Sequence, residues 1–326
     1  TGVKMKRYQY LDVARGFGLL LVIISHSCGL SRFLINYYIP LFFVVSGYIY
    51  KEGRSYKENI EHKAKRLLIP YFGYSAVLLA VYVLMGRTLA ETKASAFGIR
   101  YSRYCLYDTT VVKDNVYLFT VANGAMWYLT AFFAASLVYH LVIDRCLSDR
   151  KFLIGTLIVL TAITMALADI PVLLPWSIDL ACVGTIFMIA GTLLGRAQFF
   201  EKKWNIPLIA AVFVIYILTS CFDPGINMSI REYGIYGAFS VPFFIIVGLT
   251  GSLLCIWFGK LIENTAPGRF IAYVGKNTIF LLAFHIFALE VVERIASKFI
   301  AIPVPGGAVV PFVLYHALRI TAAVLG

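Results

Sequence analysis

Long apolar stretches separated by short polar ones recur along almost the whole chain. Stretches able to cross a hydrocarbon core of about 30 Å as helices run over residues 11–30, 34–50, 67–85, 126–143, 152–170, 177–195, 206–221, 236–258, 271–292 and 308–325. The pattern predicts an all-α, polytopic integral membrane protein of about ten transmembrane helices. The longest hydrophilic interruption, 86–125, on the predicted outside, carries tyrosines at 101, 104, 107 and 117 and reads as a cap over an extracellular mouth or as a disordered or merely packed loop. No repeat of fixed period is visible, and no loop is long enough for a soluble domain, so 1–326 reads as a single transmembrane domain.

Composition agrees, with 60% hydrophobic residues, 14% charged residues and a mean hydropathy of +0.81, far from soluble norms. The net charge of +12 resolves mainly into topology. With the N-terminus inside, Lys and Arg on the cytoplasmic flanks outnumber those outside by two to one, which predicts a multi-pass protein of the plasma membrane with both termini cytoplasmic. No DNA- or RNA-binding module is present, so the expected partners are lipids and small molecules. The apolar stretch after Lys4, Lys6 and Arg7 contains Arg15 and lacks a small-x-small site, so it does not read as a cleaved signal peptide. The six cysteines lack paired spacing and read as small hydrophobes, with no metal site expected.

The polar residues inside the apolar stretches change the picture, because lipid makes each of them costly. In LDVARGFGLLLVIISHSCGL, Arg15 and His26 lie eleven positions apart, which on a helix is an offset of about 20° and a rise of about 16 Å. They share one face, one near the start and one deep. Asp12, one turn before Arg15, is placed to neutralise it. His285, in GKNTIFLLAFHIF, reaches a depth of roughly 21 Å, comparable to His26. The two histidines form a shared polar site or are separate packing residues. The stretch NYYIPLFFVVSGYIY offers Ser46 and Tyr48 as hydroxyl donors, and KEGRSYKENIEHKAKR gathers cations, including Lys63 and Arg66, near the level of Arg15. That cluster serves headgroup contact or a polyphosphate. At the predicted outer ends, Trp127 and Tyr128 open the fourth span and Trp176 and Asp179 the sixth. They read as an aromatic belt or as the rim of a carbohydrate site.

Five segments in order, YLDVARGFGLLLVIISH, PLFFVVSGY, KRLLIPY, MWYL and GKNTIFLLAFH, resemble the membrane-bound acyltransferase-3 family, whose members O-acylate extracytoplasmic glycans and related molecules. The resemblance spans Tyr10 to His285. It implies catalytic roles for His26 and Arg15, and the polar positions read above, Asp12, Ser46, Tyr48 and His285, are the candidates to support them. It further implies an acyl-CoA site at Arg15, Lys63 and Arg66. Lys63 stands where members often carry an arginine, and an ammonium cannot bind phosphate in a bidentate way. The chain resembles stand-alone sugar O-acetyltransferases, which implies acetyl-CoA as donor substrate, no permanently bound cofactor, and a carbohydrate-type acceptor, for which the rim residues Trp127, Tyr128 and Asp179 are the candidates read from the sequence. The alternative is a secondary transporter or flippase for a sugar or lipid-linked substrate, since intramembrane charges also mark substrate pathways.

Overall fold

A computed structural model describes residues 8–28, 32–84, 124–170, 173–203, 205–223, 225, 227–299 and 309–325. The proposed cap over 86–125 falls almost wholly outside these residues. Every regular element of the described chain is helical. The α-helices are α1 (Gln9–Cys28), α2 (Arg32–Tyr48), α3 (Tyr56–Leu84), α4 (Trp127–Ser148), α5 (Arg150–Ala168), α6 (Ala181–Arg196), α7 (Ile206–Phe222), α8 (Val241–Ile262), α9 (Ala266–Lys276), α10 (Thr278–Ala296) and α11 (Val309–Leu325). Among the described residues, six helical stretches are long and apolar enough to cross a membrane, and Leu34–Tyr48, Ile206–Phe222 and Leu314–Leu325 are apolar but shorter. The Gln9 end of α1 is called lower below and the Cys28 end upper.

Helix starts follow local chemistry that hydropathy does not register. The expected third span begins at 67, but α3 begins eleven residues earlier. Ser55 and Glu58 form a reciprocal cap there: the Ser55 N–H donates to Glu58 Oε2 at 2.9 Å and the Glu58 N–H to Ser55 Oγ at 3.3 Å. This Ser-x-x-Glu arrangement satisfies two backbone donors at once, so the basic stretch is the first three turns of a helix and not a loop. Asp149, Asn205 and Thr265 accept N–H groups at the starts of α5, α7 and α9 in the same manner.

The expected span 271–292 is broken into α9 and α10. At Asn277 the side-chain amide donates to the Tyr273 carbonyl at 3.0 Å, and the Thr278 hydroxyl donates to the Gly275 carbonyl at 2.7 Å. Both take carbonyls at the end of α9 that a continuing helix would use, which ends it.

Lipid-facing surface is plain in α5 and α7. Ile154, Ile158, Val159 and Ile163 stand exposed on α5, and Phe213, Val214, Ile215 and Leu218 on α7. Only Val212, Tyr216 and Ser220, one stripe at spacing four, face inward from α7. Apolar residues almost all round a helix suit hydrocarbon on the outside.

Glycines draw two helix pairs of the interior together most tightly. A Cβ at Gly47 of α2 would overlap the Met188 carbonyl of α6, and one at Gly191 or Gly195 of α6 would overlap the Val44 or Tyr48 carbonyl of α2. Likewise Gly16 of α1 lies on the Ile271 carbonyl of α9, and Gly275 on the Asp12 carbonyl. Such backbone-to-backbone approach is available only to glycine. Gly47→Leu should therefore force α2 from α6 and destabilise the fold by about 1–3 kcal/mol or more. Gly73→Leu, in a helix position with open space around it, should be neutral. Thermal denaturation of both variants in detergent, with equal losses counting against the packing argument, checks this.

Candidate active site

Arg15 and His26 do share one face of α1. Arg15 Nη1 donates to Asp12 Oδ1 at 3.2 Å, so the i, i+3 pair expected from sequence forms, with the carboxylate buried and the guanidinium partly accessible. Lys63 of α3 lies close enough to Arg15 and Arg66 to feel both charges. Its Nζ donates to Ser46 Oγ of α2 at 3.1 Å and sits 4.9 Å above the Phe132 ring of α4, a cation over an aromatic face. Four helices thus converge on a cluster with three cations and one carboxylate, where an anion would relieve mutual repulsion.

Higher on α1, the His26 ring meets His285 of α10, with centroids 5.1 Å apart and edge to face. His26 Nδ1 lies 2.9 Å from the Val22 carbonyl, and His285 Nδ1 lies 2.8 Å from the Leu282 carbonyl. A carbonyl oxygen only accepts, so each Nδ1 carries the proton and each Nε2 keeps the basic lone pair. His285 Nε2 is buried without a hydrogen-bond partner among the described residues. His26 differs: it stands in the last turn of α1 with its side chain exposed.

Other expected site residues lie elsewhere. Ser46 is engaged by Lys63, at the Arg15 level. The Tyr48 hydroxyl lies 3.3 Å from that of Tyr10, which donates to Glu201 at the lower rim at 2.9 Å. Neither hydroxyl stands beside His26 as an oxyanion donor. Tyr128 is no rim residue: it is buried among Phe42, Phe43 and Phe132 and is close enough to Arg15 to feel its charge. Trp127 is half-buried with its ring edge-on to Tyr128. Trp176 sits in a 3-10 turn, Pro175–Leu180, where left-handed φ values of 59° at Trp176 and 54° at Ser177 turn its ring against Tyr71 and Phe72 of α3.

Asp179 is fully buried. It pairs with Arg231 Nε at 3.2 Å, and Arg231 also donates to the Leu167 and Ile170 carbonyls at 2.6 Å each. The carboxylate neutralises a buried guanidinium and tethers the upper end of α5 to the turn before α6, which leaves it no acceptor-facing rim.

A family profile described as an acyltransferase domain matches residues 8–325, nearly the whole chain. The chain belongs to the acyltransferase-3 family. It is accordingly a multi-pass membrane acyltransferase. Comparisons with curated proteins and with solved structures give no significant match. Among the described residues no group of His, Cys, Asp and Glu is placed to hold a metal ion.

The acyltransferase carries polar residues in and beside its apolar segments that sequence reading passed over. At the upper end of α1, Ser27 Oγ lies 3.0 Å from His316 Nδ1, and Arg319 donates to the Ser27 carbonyl at 3.1 Å and to Glu293 at 3.0 Å. His140 of α4 is buried near Lys63. The criterion that singled out His26, an ionisable group in an apolar run, applies equally to His140, His316 and Arg319. Asp179→Ala should strand the buried Arg231 charge and cost about 3–5 kcal/mol of stability. The double change Asp179→Leu with Arg231→Met should restore most of it, as read by chemical denaturation in micelles.

Proposed function

We propose that this acyltransferase is an O-acetyltransferase, a single transmembrane unit that carries acetyl from cytosolic acetyl-CoA to a hydroxyl of an extracytoplasmic glycan or related acceptor. The observation that carries the reading is the layout of α1: a cationic cluster around Arg15 at one level, and a histidine with a fixed Nδ1–H about 16 Å higher on the same face. The donor phosphates bind at Arg15, Lys63 and Arg66, with charge-assisted hydrogen bonds supplying most of the affinity. The pantetheine arm then extends toward His26. This assignment takes the lower end as cytoplasmic, in keeping with the Lys and Arg distribution, and the plasma membrane as the site of action.

At His26, Nε2 acts in one of two ways. As a general base it takes the proton of the acceptor hydroxyl while the oxygen attacks the thioester carbon. The C–S bond breaks, the ester C–O bond forms, and the proton passes to the departing thiolate. As a nucleophile it first accepts the acetyl group, releasing the thiolate, and then yields it to the hydroxyl. His285 supports either course by holding a second neutral ring against the first. No observation favours transport of an unmodified substrate.

The test uses purified protein reconstituted in liposomes with labelled acetyl-CoA, together with mass spectrometry of surface glycans from cells with and without the gene. His26→Ala should lower acetyl transfer by a factor of roughly 10² to 10⁴, the usual contribution of a positioned base, with folding intact. His285→Ala should be milder. Arg15→Ala and Arg66→Ala should weaken acetyl-CoA binding. Near-normal turnover by well-folded His26→Ala would sink both versions of the chemistry, and unaltered donor binding in the two arginine variants would sink the phosphate assignment.

A further inference from the structure

His140 is 7% exposed, and among the described residues neither of its ring nitrogens has a hydrogen-bond partner. A neutral imidazole has one N–H to donate and one lone pair to satisfy, and buried polar atoms are almost always paired. His26, His285 and His316 each meet a partner at Nδ1. His140 therefore differs from them in offering both ring nitrogens, one donor and one acceptor, with no partner among the described protein atoms.

Its position is not slack. The preceding residue, Tyr139, has its hydroxyl 2.6 Å from Thr192 Oγ of α6, and Thr192 in turn bonds the Gly47 carbonyl of α2 at 3.1 Å. The imidazole packs against the Tyr139 ring at 4.9 Å and the Tyr50 ring at 5.8 Å. Tyr50 is held by its own bond to Asp144 at 2.8 Å, one turn further along α4. Three helices thus fix where the ring points, and the nearby charges that bear on it are Lys63 and Asp144. Lys63 leads on to Ser46, Arg15 and Arg66, so His140 adjoins the cationic cluster.

A group that brings several acceptor oxygens to this place would satisfy the imidazole and the surrounding cations together. We infer that His140 belongs to the donor site and, beside Lys63, donates a hydrogen bond to a phosphate oxygen of the acyl donor's diphosphate. The inference rests on the acyl-CoA reading above and adds to it a residue and a contact point. Lys63 presents a single ammonium where a forked guanidinium would make two parallel bonds, and His140 supplies the second donor from the neighbouring helix.

The full-length protein in detergent is assayed with acetyl-CoA and with acetyl-pantetheine, which carries the same thioester but no phosphate. His140→Ala should raise KM for acetyl-CoA about tenfold, the size of one hydrogen bond to a charged group, with little change in kcat. The shift should be absent with acetyl-pantetheine. His140→Gln, whose amide still donates, should recover much of the loss, and it serves as the working variant if His140→Ala misfolds. An equal rise in KM for both donors, or no rise for acetyl-CoA, as expected if water alone occupies the site, would overturn the assignment. A separate outcome bears on the parent reading: if the unaltered protein fails to bind acetyl-CoA, the donor assignment itself falls.

Discussion

Two helix pairs whose backbones touch set where the polar groups around Arg15, Lys63 and His285 lie. Gly16 and Gly275 let α9 close on α1 directly beside Arg15, and the turn at Asn277 then starts α10 at the height that brings His285 to His26. On the other side, Gly47, Gly191 and Gly195 press α2 onto α6. That contact sets Ser46 under Lys63 and the Gly47 carbonyl under Thr192. A side chain larger than hydrogen at these points would move a whole helix, since the opposing atoms are carbonyls and cannot swing aside. Packing at the glycines and chemistry at the histidines are consequently one problem.

Buried charge is handled in two opposite ways. Asp179 and Arg231 are wholly enclosed and close to one another, and the guanidinium is completed by two carbonyls. Nothing in that arrangement asks for a ligand. Around Arg15, Lys63 and Arg66, positive charge exceeds the single carboxylate of Asp12, and some surface stays accessible. Burial alone does not separate a structural ion pair from a binding site. The local sum of charge and the supply of acceptors do.

That distinction explains what could be read from the chain beforehand. The all-helical membrane class and the alignment of Arg15 with His26 follow from hydropathy and helix geometry, both local properties. The start of α3 was also legible, in Ser55 and Glu58, although an apolar window overlooks a polar first turn. The fate of Asp179 was not legible, because its partner Arg231 is 52 residues away and no spacing rule links them. Tyr128 misled for a related reason: an aromatic at a span edge resembles a belt residue until Phe42, Phe43 and Phe132 are seen to enclose it. His140 lay open to the same test that found His26, but its two unmet nitrogens are a tertiary fact.

The contact between α1 and α9 also bears on how the protein is made. Gln9 of α1 and Glu263, at the approach to α9, touch across 254 residues of chain, which at about 5–20 residues per second takes tens of seconds to synthesise. Throughout that interval α1 carries Asp12, Arg15 and His26 without the α9 and α10 neighbours that later pack beside them. Until α9 and α10 arrive, that polar face has neither its glycine contact nor His285 beside it, and placing it against lipid in that state is costly.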